Sequence, residues 1–272
     1  MKVFAIKDDN MGDAVLGYLI YYKNAKAFYI ELPDDADPWT TPLLLSSFVK
    51  RGEHSVNSYW SQIWVEQRIV PPDRQNIGQI LKENGLTEYD AFSLLMLARG
   101  RCAQDDHYLE EIPVSQLPSE LIARWKTKVE DVVPLKDKRL LVFFRNGKVK
   151  IIDAKKLTEK EPACMPYINN EIRFMQLDVQ PDGYGVMWSA QAAISNSELY
   201  NNGKPVPLSL KDFCSFVQFR IIDTAQACKI LNCSRQNIDD LIRRDKLHPI
   251  RSDARHKLFL KNEVLQRKKN LS

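Results

Sequence analysis

Short β-prone runs and helical patterns alternate along the first 130 residues. The runs VFAI, GYLIYY and AFYIEL are apolar, and only the polar KNAK separates the last two, a spacing typical of a β-hairpin. A helix is predicted from about Ser46 to Glu66, and two more follow the break VPPDRQN. In that pair, Asn84-Gly85 ends the first helix, and the Thr87 hydroxyl is placed to cap the second.

Residues 131–207 have the pattern of a small, mostly antiparallel β domain. RLLVFFRNGKVKIIDA is the clearest hairpin, because Asn146-Gly147 separates two β-branched and aromatic runs. A two-residue type I′ turn needs positive φ at both positions, which Asn and Gly adopt at low cost. The strand GVMWSA follows the turn QPDGYG, and NGKPVPLSL is predicted to be a linker.

Helical periodicity returns in residues 211–272. Asp223 and Gln226 form a capping-box pattern at the start of one helix. After the break Asn232-Cys233, Ser234 is placed to cap a second helix. The apolar positions of the two helices are Ala227, Cys228 and Leu231, then Ile238, Leu241 and Ile242, at helical spacing. HPIRSDARHKLFL then predicts a short β-hairpin, and Asn262 the cap of a final helix.

Together these patterns predict an α+β, multidomain protein. Residues 1–130 form an α+β domain with N-terminal hairpins followed by helices. Residues 131–207 form a small antiparallel β-rich domain, and residues 211–272 form a winged helix-turn-helix. At 272 residues, the chain is long enough for two or three small domains.

Composition favours a cytoplasmic protein with no membrane contact. No run approaches the ~18 apolar residues of a membrane span, and the N-terminus has the pattern of a first strand rather than a secretory signal. The five cysteines are odd in number and scattered, without a CxxC pair, which suits reduced thiols.

Charge is distributed unevenly around a net of +4. From Ile221 to Ser272 there are 12 Lys and Arg against 6 Asp and Glu, whereas residues 1–220 hold 27 against 29. A positive patch at one end of a near-neutral chain predicts a polyanionic partner that binds there.

The second helix of the C-terminal pair carries the candidate DNA-reading residues. Arg pairs bidentately with guanine, and Asn or Gln with adenine. A helix-turn-helix presents the N-terminal residues of its second helix to the bases. The predicted DNA-binding residues are Ser234, Arg235, Gln236, Asn237, Arg243 and Arg244 on this helix, with Arg251, Arg255, His256 and Lys257 in the hairpin. A solvated amphipathic helix is the structural alternative.

The same segments resemble the winged helix-turn-helix of excisionase-like and MerR-like proteins. The matching stretches are QACKIL, CSRQNIDDLIRRDKL and PIRSDARHKLFL, about 48 residues in all. The resemblance implies DNA binding through Ser234 to Asn237 and the wing. Asp245 stands where that family often has Gly, and Cys228 where it usually has Ala.

Two further resemblances concern the rest of the chain. LLVFFRNGKVKIIDAKKL, IRFMQLDVQPDGYGVMWS and SELYNNG are similar to a small bacterial domain family of unknown function found near toxin–antitoxin-like genes. IVPPDRQNIGQILKENGLTEYDAFSLLMLARGRCA resembles the N-terminal subdomain of HipA-type toxin kinases. No phosphate-binding Gly-rich loop, HRD or DFG triplet occurs, so phosphoryl transfer is not implied.

Other chemistry is expected to be absent. Cys102 and His107 are close enough in sequence for a nucleophile pair, but a Cys beside a polar turn is the simpler interpretation. The acidic loops DDNMGD and PDDADP lack the ligand spacing of a calcium loop. The histidine spacing of His248 and His256 does not suit zinc with Cys228 and Cys233. We therefore expect no catalytic residue, metal or cofactor.

Trp60 and Trp64 stand one helical turn apart. They are expected to pack in the core, with an exposed partner-binding stripe as the alternative.

The sequence thus predicts a bacterial, non-enzymatic, sequence-specific regulator of transcription that binds double-stranded DNA. Its N-terminal domains would mediate homodimer formation or recognition of a protein partner. The alternative is a protein-interaction or antitoxin-like module that uses DNA binding for autoregulation.

Overall fold

The protein is a mixed α+β structure with several antiparallel sheets in the computed structural model. The structure describes residues 1–135, 137–158, 160–253 and 256–269. The chain divides into two compact units, Met1–Val206 and Pro207–Ser272. This boundary lies inside the predicted linker NGKPVPLSL. A further division near residue 130 stays a prediction.

The N-terminal part of the first unit contains a five-stranded antiparallel sheet. Its strands are β1 (Lys2–Asp8), β2 (Val15–Tyr22), β3 (Ala27–Glu31), β4 (Ser55–Val56) and β5 (His107–Ile112), in the order β4-β3-β2-β1-β5. The predicted hairpin is confirmed, since β2 and β3 pair from Tyr18 opposite Glu31 to Tyr22 opposite Ala27.

Four of the five helices in this part of the chain pack against the sheet, and two predictions about the helices were wrong. The helices are α1 (Leu43–Lys50), α2 (Ser58–Glu66), α3 (Ile77–Glu83), α4 (Ala91–Leu97) and α5 (Ser119–Trp125). Helix α3 is the exception to this packing, because it has no buried residue. The continuous helix predicted from Ser46 to Glu66 is two helices, because Gly52 has a φ of 70° and the next residues pair with β3 as β4. Asn84-Gly85 ends α3 as predicted, but Asp90 caps α4 in place of Thr87.

The remainder of the first unit holds two smaller sheets. One has the order β12-β8-β7-β6, and the other the order β11-β10-β9. The strands are β6 (Val129–Pro134), β7 (Arg139–Phe144), β8 (Val149–Asp153), β9 (Asp178–Val179), β10 (Gly185–Met187), β11 (Ala193–Ser195) and β12 (Lys204–Val206). The short helices are α6 (Met165–Ile168), α7 (Glu171–Phe174) and α8 (Asn196–Asn202). Part of the predicted linker is therefore a strand.

The hairpin of β7 and β8 is confirmed, but its turn is not type I′. Only Gly147 has positive φ, at 78°, and Asn146 does not. The Phe144 N–H donates to the Lys148 carbonyl at 2.9 Å, so three residues form the loop. A three-residue loop places its left-handed residue last, which suits glycine.

The second unit is built from helices around a three-stranded sheet. Its elements are α9 (Leu210–Arg220), β13 (Ile221–Asp223), α10 (Thr224–Leu231), α11 (Arg235–Arg243), β14 (Arg251–Ser252), β15 (Lys257–Leu260) and α12 (Lys261–Lys269). The sheet order is β13-β15-β14. Its core comprises Ile222, Ala227, Ile238, Leu247, Phe259 and Val264. Asn262 does not cap α12, because that helix already includes Lys261.

Candidate nucleic-acid interface

Local capping sets the directions of α10 and α11. The Asp223 carboxylate accepts the Gln226 N–H at 2.7 Å, and the Gln226 side chain accepts the Asp223 N–H at 3.1 Å, which confirms the capping box. Asn232 adopts a left-handed conformation (φ 51°) that ends α10. The Ser234 hydroxyl accepts the Asn237 N–H at 3.3 Å, so Ser234 caps α11 as predicted.

One face of α11 is held by the core of the unit. Ile238 is fully buried, and Leu241 and Ile242 are half-buried against the same cluster. These three residues recur every three or four positions, so the opposite face points outward. Arg235, Gln236, Asn237, Arg243 and Arg244 are all exposed. The predicted division of α11 into packing and outward positions is confirmed.

Asp245 reverses the chain after α11. It has a φ of 54°, a left-handed conformation that glycine adopts most readily and that Asp tolerates better than most residues. Its carboxylate lies 3.1 Å from His248 Nε2, and His248 Nδ1 lies 2.8 Å from Glu263 of α12. Hydrogen bonds to Glu263 and Asp245 raise the pKa of His248.

A cleft of about 580 Å³, here the α11–hairpin cleft, lies beside the first turn of α11. Arg251 of β14 and Asp223 of β13 both pair with Leu258 of the central strand, which brings both helix starts and the hairpin together. The lining residues are Asp223, Thr224, Ala225, Arg235, Asp239, Arg251, Asp253, His256, Lys257 and Leu258.

Four of the predicted DNA-binding residues line this cleft, namely Arg235, Arg251, His256 and Lys257. Five others, Ser234, Gln236, Asn237, Arg243 and Arg244, lie outside it on α11 and its caps. Arg255 lies outside the described residues.

The side chains of the first turn of α11, Arg235 to Asn237, have no partner within the described part of the chain. The side chains of Arg235, Gln236 and Asn237 make no hydrogen bond or ion pair there. In contrast, Arg243 pairs with Asp240 at 3.0 Å, and Arg251 lies 3.9 Å from Asp253. The outward side chains of the first turn are therefore available to an external acceptor or donor.

Comparison with known proteins assigns no family to this chain. No protein-family model, curated protein or solved structure matches it. The three resemblances drawn from the sequence stay predictions.

Acidic residues in the cleft were missed by the sequence analysis. The Asp239 carboxylate forms an ion pair with the Lys257 ammonium, so Lys257 is not an unpaired cation. Asp223 and Asp253 also line the cleft. The spacing of Asp239, four residues after Arg235, could have placed it on the same helical face.

His107 is not placed to act as a base for the Cys102 thiol. The Cys102 thiol lies 3.6 Å from Asp105 Oδ1. His107 Nδ1 is 3.0 Å from Asp105 Oδ2, and His107 Nε2 is 3.4 Å from Asp8 Oδ2. Both ring nitrogens thus face carboxylates. A thiol is activated when a ring nitrogen accepts its proton.

The described residues contain neither a candidate metal site nor a candidate membrane-spanning helix. Among the described residues, no group of three or more His, Cys, Asp or Glu is placed to hold a metal ion. No helix in that part of the chain is both long enough and apolar enough to cross a membrane.

Proposed function

We propose that the second unit binds double-stranded DNA sequence-specifically as a winged helix-turn-helix and regulates transcription. In this proposal α11 enters the major groove, and the hairpin of β14 and β15 is the wing. The observation that carries the proposal is the first turn of α11. Arg235, Gln236 and Asn237 are exposed and unpartnered on a helix whose other face is fixed in the core.

These three side chains have the chemistry of base recognition. Arg forms a bidentate pair with guanine, and Asn and Gln pair with adenine. A side chain that already has an intramolecular partner must give it up before it contacts a base. Since Arg235, Gln236 and Asn237 make no such contact in the described chain, binding costs them hydration and side-chain freedom but no internal contact.

The surrounding cations suit phosphate contacts. Arg251 and Lys257 line the cleft beside the first turn, and Arg243 and Arg244 lie at the other end of α11. Phosphate contacts fix orientation, whereas base contacts carry the sequence preference. Lys257 must leave its ion pair with Asp239 to contact a phosphate, whereas the Arg244 side chain has no hydrogen bond or ion pair among the described residues.

The first test separates base contacts from phosphate contacts. A binding site is selected from a random DNA library with the full chain, and affinity is measured for the selected site and for an unrelated duplex. We expect Arg235→Ala and Asn237→Ala each to lose about 1–3 kcal/mol on the selected site, the value of one bidentate contact. Both variants should keep the affinity for the unrelated duplex within about threefold.

Lys229→Ala is the matched control, because Lys229 is an exposed residue of α10 that does not line the cleft. It should leave the preference for the selected site unchanged. Absence of DNA binding by the wild-type chain at low salt would refute the proposed function. Equal losses on both duplexes would refute the assignment of Arg235 and Asn237 to base reading.

A second candidate function is binding of another protein chain, either a partner or a second copy. The exposed apolar residues of α9 favour it. They include Phe216, Val217 and Phe219. Neighbouring large apolar side chains that stay exposed are typical of protein-binding surfaces.

A further inference from the structure

A second cleft, here the α1–α2 cleft, has the size of a small-molecule site. Its volume is about 690 Å³, within the roughly 300–1,000 Å³ of ligand pockets. Helix α1 supplies Leu43, Leu44 and Phe48 to its lining, and α2 supplies Trp60 and Trp64. Six of the thirteen lining residues are apolar and the other seven are polar or charged, so the cleft has an apolar part and a polar part.

The two tryptophans of α2 differ in exposure. Trp60 is 39% exposed, whereas Trp64 is only 1% exposed. Leu43 is 92% exposed and is the most open apolar residue of the lining. The predicted choice between core packing and an exposed stripe therefore has a mixed outcome. Trp64 packs in the core, and Trp60 stays partly open to solvent.

The polar end of the cleft is organised around Arg68, which is 5% exposed. Its guanidinium lies 3.9 Å from the centre of the Trp64 ring, and its Nη2 donates to Asp105 Oδ2 at 2.5 Å. Burial raises the pKa of Asp105, but Arg68 and His107 lower it by more, so this carboxyl stays ionised and holds Arg68 in place.

Two buried donors at this end have no acceptor. Trp64 Nε1 and Arg68 Nε are buried and have no hydrogen-bond partner among the described residues. Both groups can only donate. Buried polar groups are nearly always paired, so an unpaired donor in a pocket needs an explanation. Two such donors on adjacent lining side chains indicate a missing acceptor.

We propose that the α1–α2 cleft binds a small molecule with an aromatic body and a carboxylate. The aromatic body packs against Phe48 and Trp60, and the carboxylate accepts hydrogen bonds from Trp64 and Arg68. Of the two arginines in the lining, Arg51 pairs with Glu53 and Arg68 with Asp105, so the Arg68 Nε–H is the charged donor that remains for a carboxylate. This site is independent of the proposed DNA-binding function.

The test measures binding of naphthylacetate and of its neutral amide, naphthylacetamide, to the full chain by titration calorimetry. The two probes share the aromatic body and differ in the anionic end. We expect one molecule of naphthylacetate per chain, bound roughly tenfold or more tightly than the amide, since hydrogen bonds to charged groups are the stronger ones.

Two substitutions locate the site. Trp64→Phe removes the indole N–H while it keeps an aromatic ring, and it should weaken both probes. Leu43→Glu adds a carboxylate to an exposed lining position and should weaken the acid about tenfold more than the amide. Leu97→Glu is the matched control, because Leu97 is 52% exposed on α4 and does not line the cleft.

Three results would overturn the proposal. The first is no binding of naphthylacetate, which would mean that ordered water satisfies the two donors. The second is equal affinity for the acid and the amide. The third is a loss of acid binding in Leu97→Glu as large as that in Leu43→Glu.

Discussion

Lys128 is a buried cation enclosed by aromatic rings in the first unit. It is 1% exposed, and its ammonium lies 3.8 Å from the centre of the Tyr184 ring and 4.2 Å from that of Trp125. Its Nζ donates to Asp182 Oδ2 at 2.6 Å. The rings and the carboxylate replace part of the hydration that the ammonium loses on burial.

The loop that carries Asp182 depends on backbone conformations that few residues adopt. Asp182 has a φ of 54°, and Gly183 follows at 75°. A Cβ on Gly183 would lie 2.2 Å from the Val129 carbonyl oxygen. Arg145 Nη2 also donates to Asp182 Oδ1 at 2.7 Å. Gly183 and Arg145 therefore hold Asp182, the partner of Lys128, in position.

Lys128 should make stability depend on pH in a defined window. Burial lowers the pKa of Lys128 to about 8 from its ordinary value of 10.5. Between pH 8 and pH 10.5, Lys128 is mostly protonated in the unfolded chain and mostly deprotonated in the folded chain. The cost of burying the charged form is thus fully present below about pH 8 and is lost as the pH rises toward 10.5.

We expect Lys128→Met to remove this dependence. Between pH 8 and about pH 9.5, the wild-type free energy of unfolding should rise relative to that of Lys128→Met by about 1.5 kcal/mol. Urea unfolding at each pH measures both proteins. The readout is their difference, because cysteines also titrate in this window.

Lys126→Met is the control, since Lys126 is exposed two residues away. It should follow the wild type across the window. Parallel pH profiles for the wild type and Lys128→Met would contradict the lowered pKa.

Among the elements, α9 leaves apolar side chains exposed. A capping box of Ser209 and Asp212 starts this helix. Phe216 is 49% exposed, Val217 41% and Phe219 64%. A helix of this kind gains most of its stability from packing of an apolar face. The exposed residues of α9 therefore favour contact with another chain.

A second copy of the chain is the partner that we expect at α9. Dimeric DNA-binding proteins read two half-sites, so a dimer would also give a symmetric binding site. The double variant Phe216→Ser, Phe219→Ser should lower the mass measured by light scattering at micromolar concentration from that of a dimer to that of a monomer. The reason is the loss of buried apolar area.

Gln218→Ser on the same helix is the control and should keep the dimer. A monomeric wild type would contradict the prediction. A dimer that survives the double variant would place the contact elsewhere.

On the scale of the whole molecule, the two units carry opposite net charge. Residues 207–272 contain 14 Lys and Arg against 7 Asp and Glu, and residues 1–206 contain 25 against 28. A basic unit attached to a weakly acidic one directs a polyanion to the basic unit. The acidic residues of the α11–hairpin cleft modify this attraction locally.

The salt dependence of DNA affinity should report the attraction by the basic unit and the repulsion by the acidic residues of the cleft. Lys257→Ala should reduce the slope of log affinity against log salt concentration by about 0.9, the value of one phosphate contact. It also leaves Asp239 without its ion-pair partner at the proposed DNA-binding surface. Asp239→Asn added to Lys257→Ala should therefore recover part of the lost affinity.

Lys23→Ala removes one exposed charge from the first unit and is the control for these measurements. Its slope should equal that of the wild type. A Lys257→Ala slope equal to the wild-type slope would exclude a phosphate contact by Lys257.

Many features that depend on neighbours within about four residues were predictable from the sequence, although the Thr87 cap, the Asn262 cap and the type I′ turn were wrong. The capping box of Asp223 and Gln226, the Ser234 cap and the inward positions of α11 are all confirmed. The hairpin of β2 and β3 is confirmed as well. These caps and helical faces follow from local spacing, because the atoms that form them lie within one or two helical turns of each other.

Features that join distant segments were decided by the tertiary structure. The predicted helix from Ser46 to Glu66 is interrupted because β4 pairs with β3. The α1–α2 cleft combines Trp64 and Arg68 with Asp105 and His107 from a different part of the chain.

The Lys128–Asp182 and Lys257–Asp239 ion pairs also join residues that are far apart in the sequence. Local propensity does not predict such contacts, because they form only when packing brings distant segments together. The sequence by itself therefore determined the caps, faces and charge of the candidate reading helix. Only the tertiary structure decided which charges are already paired and which donors lie buried without an acceptor.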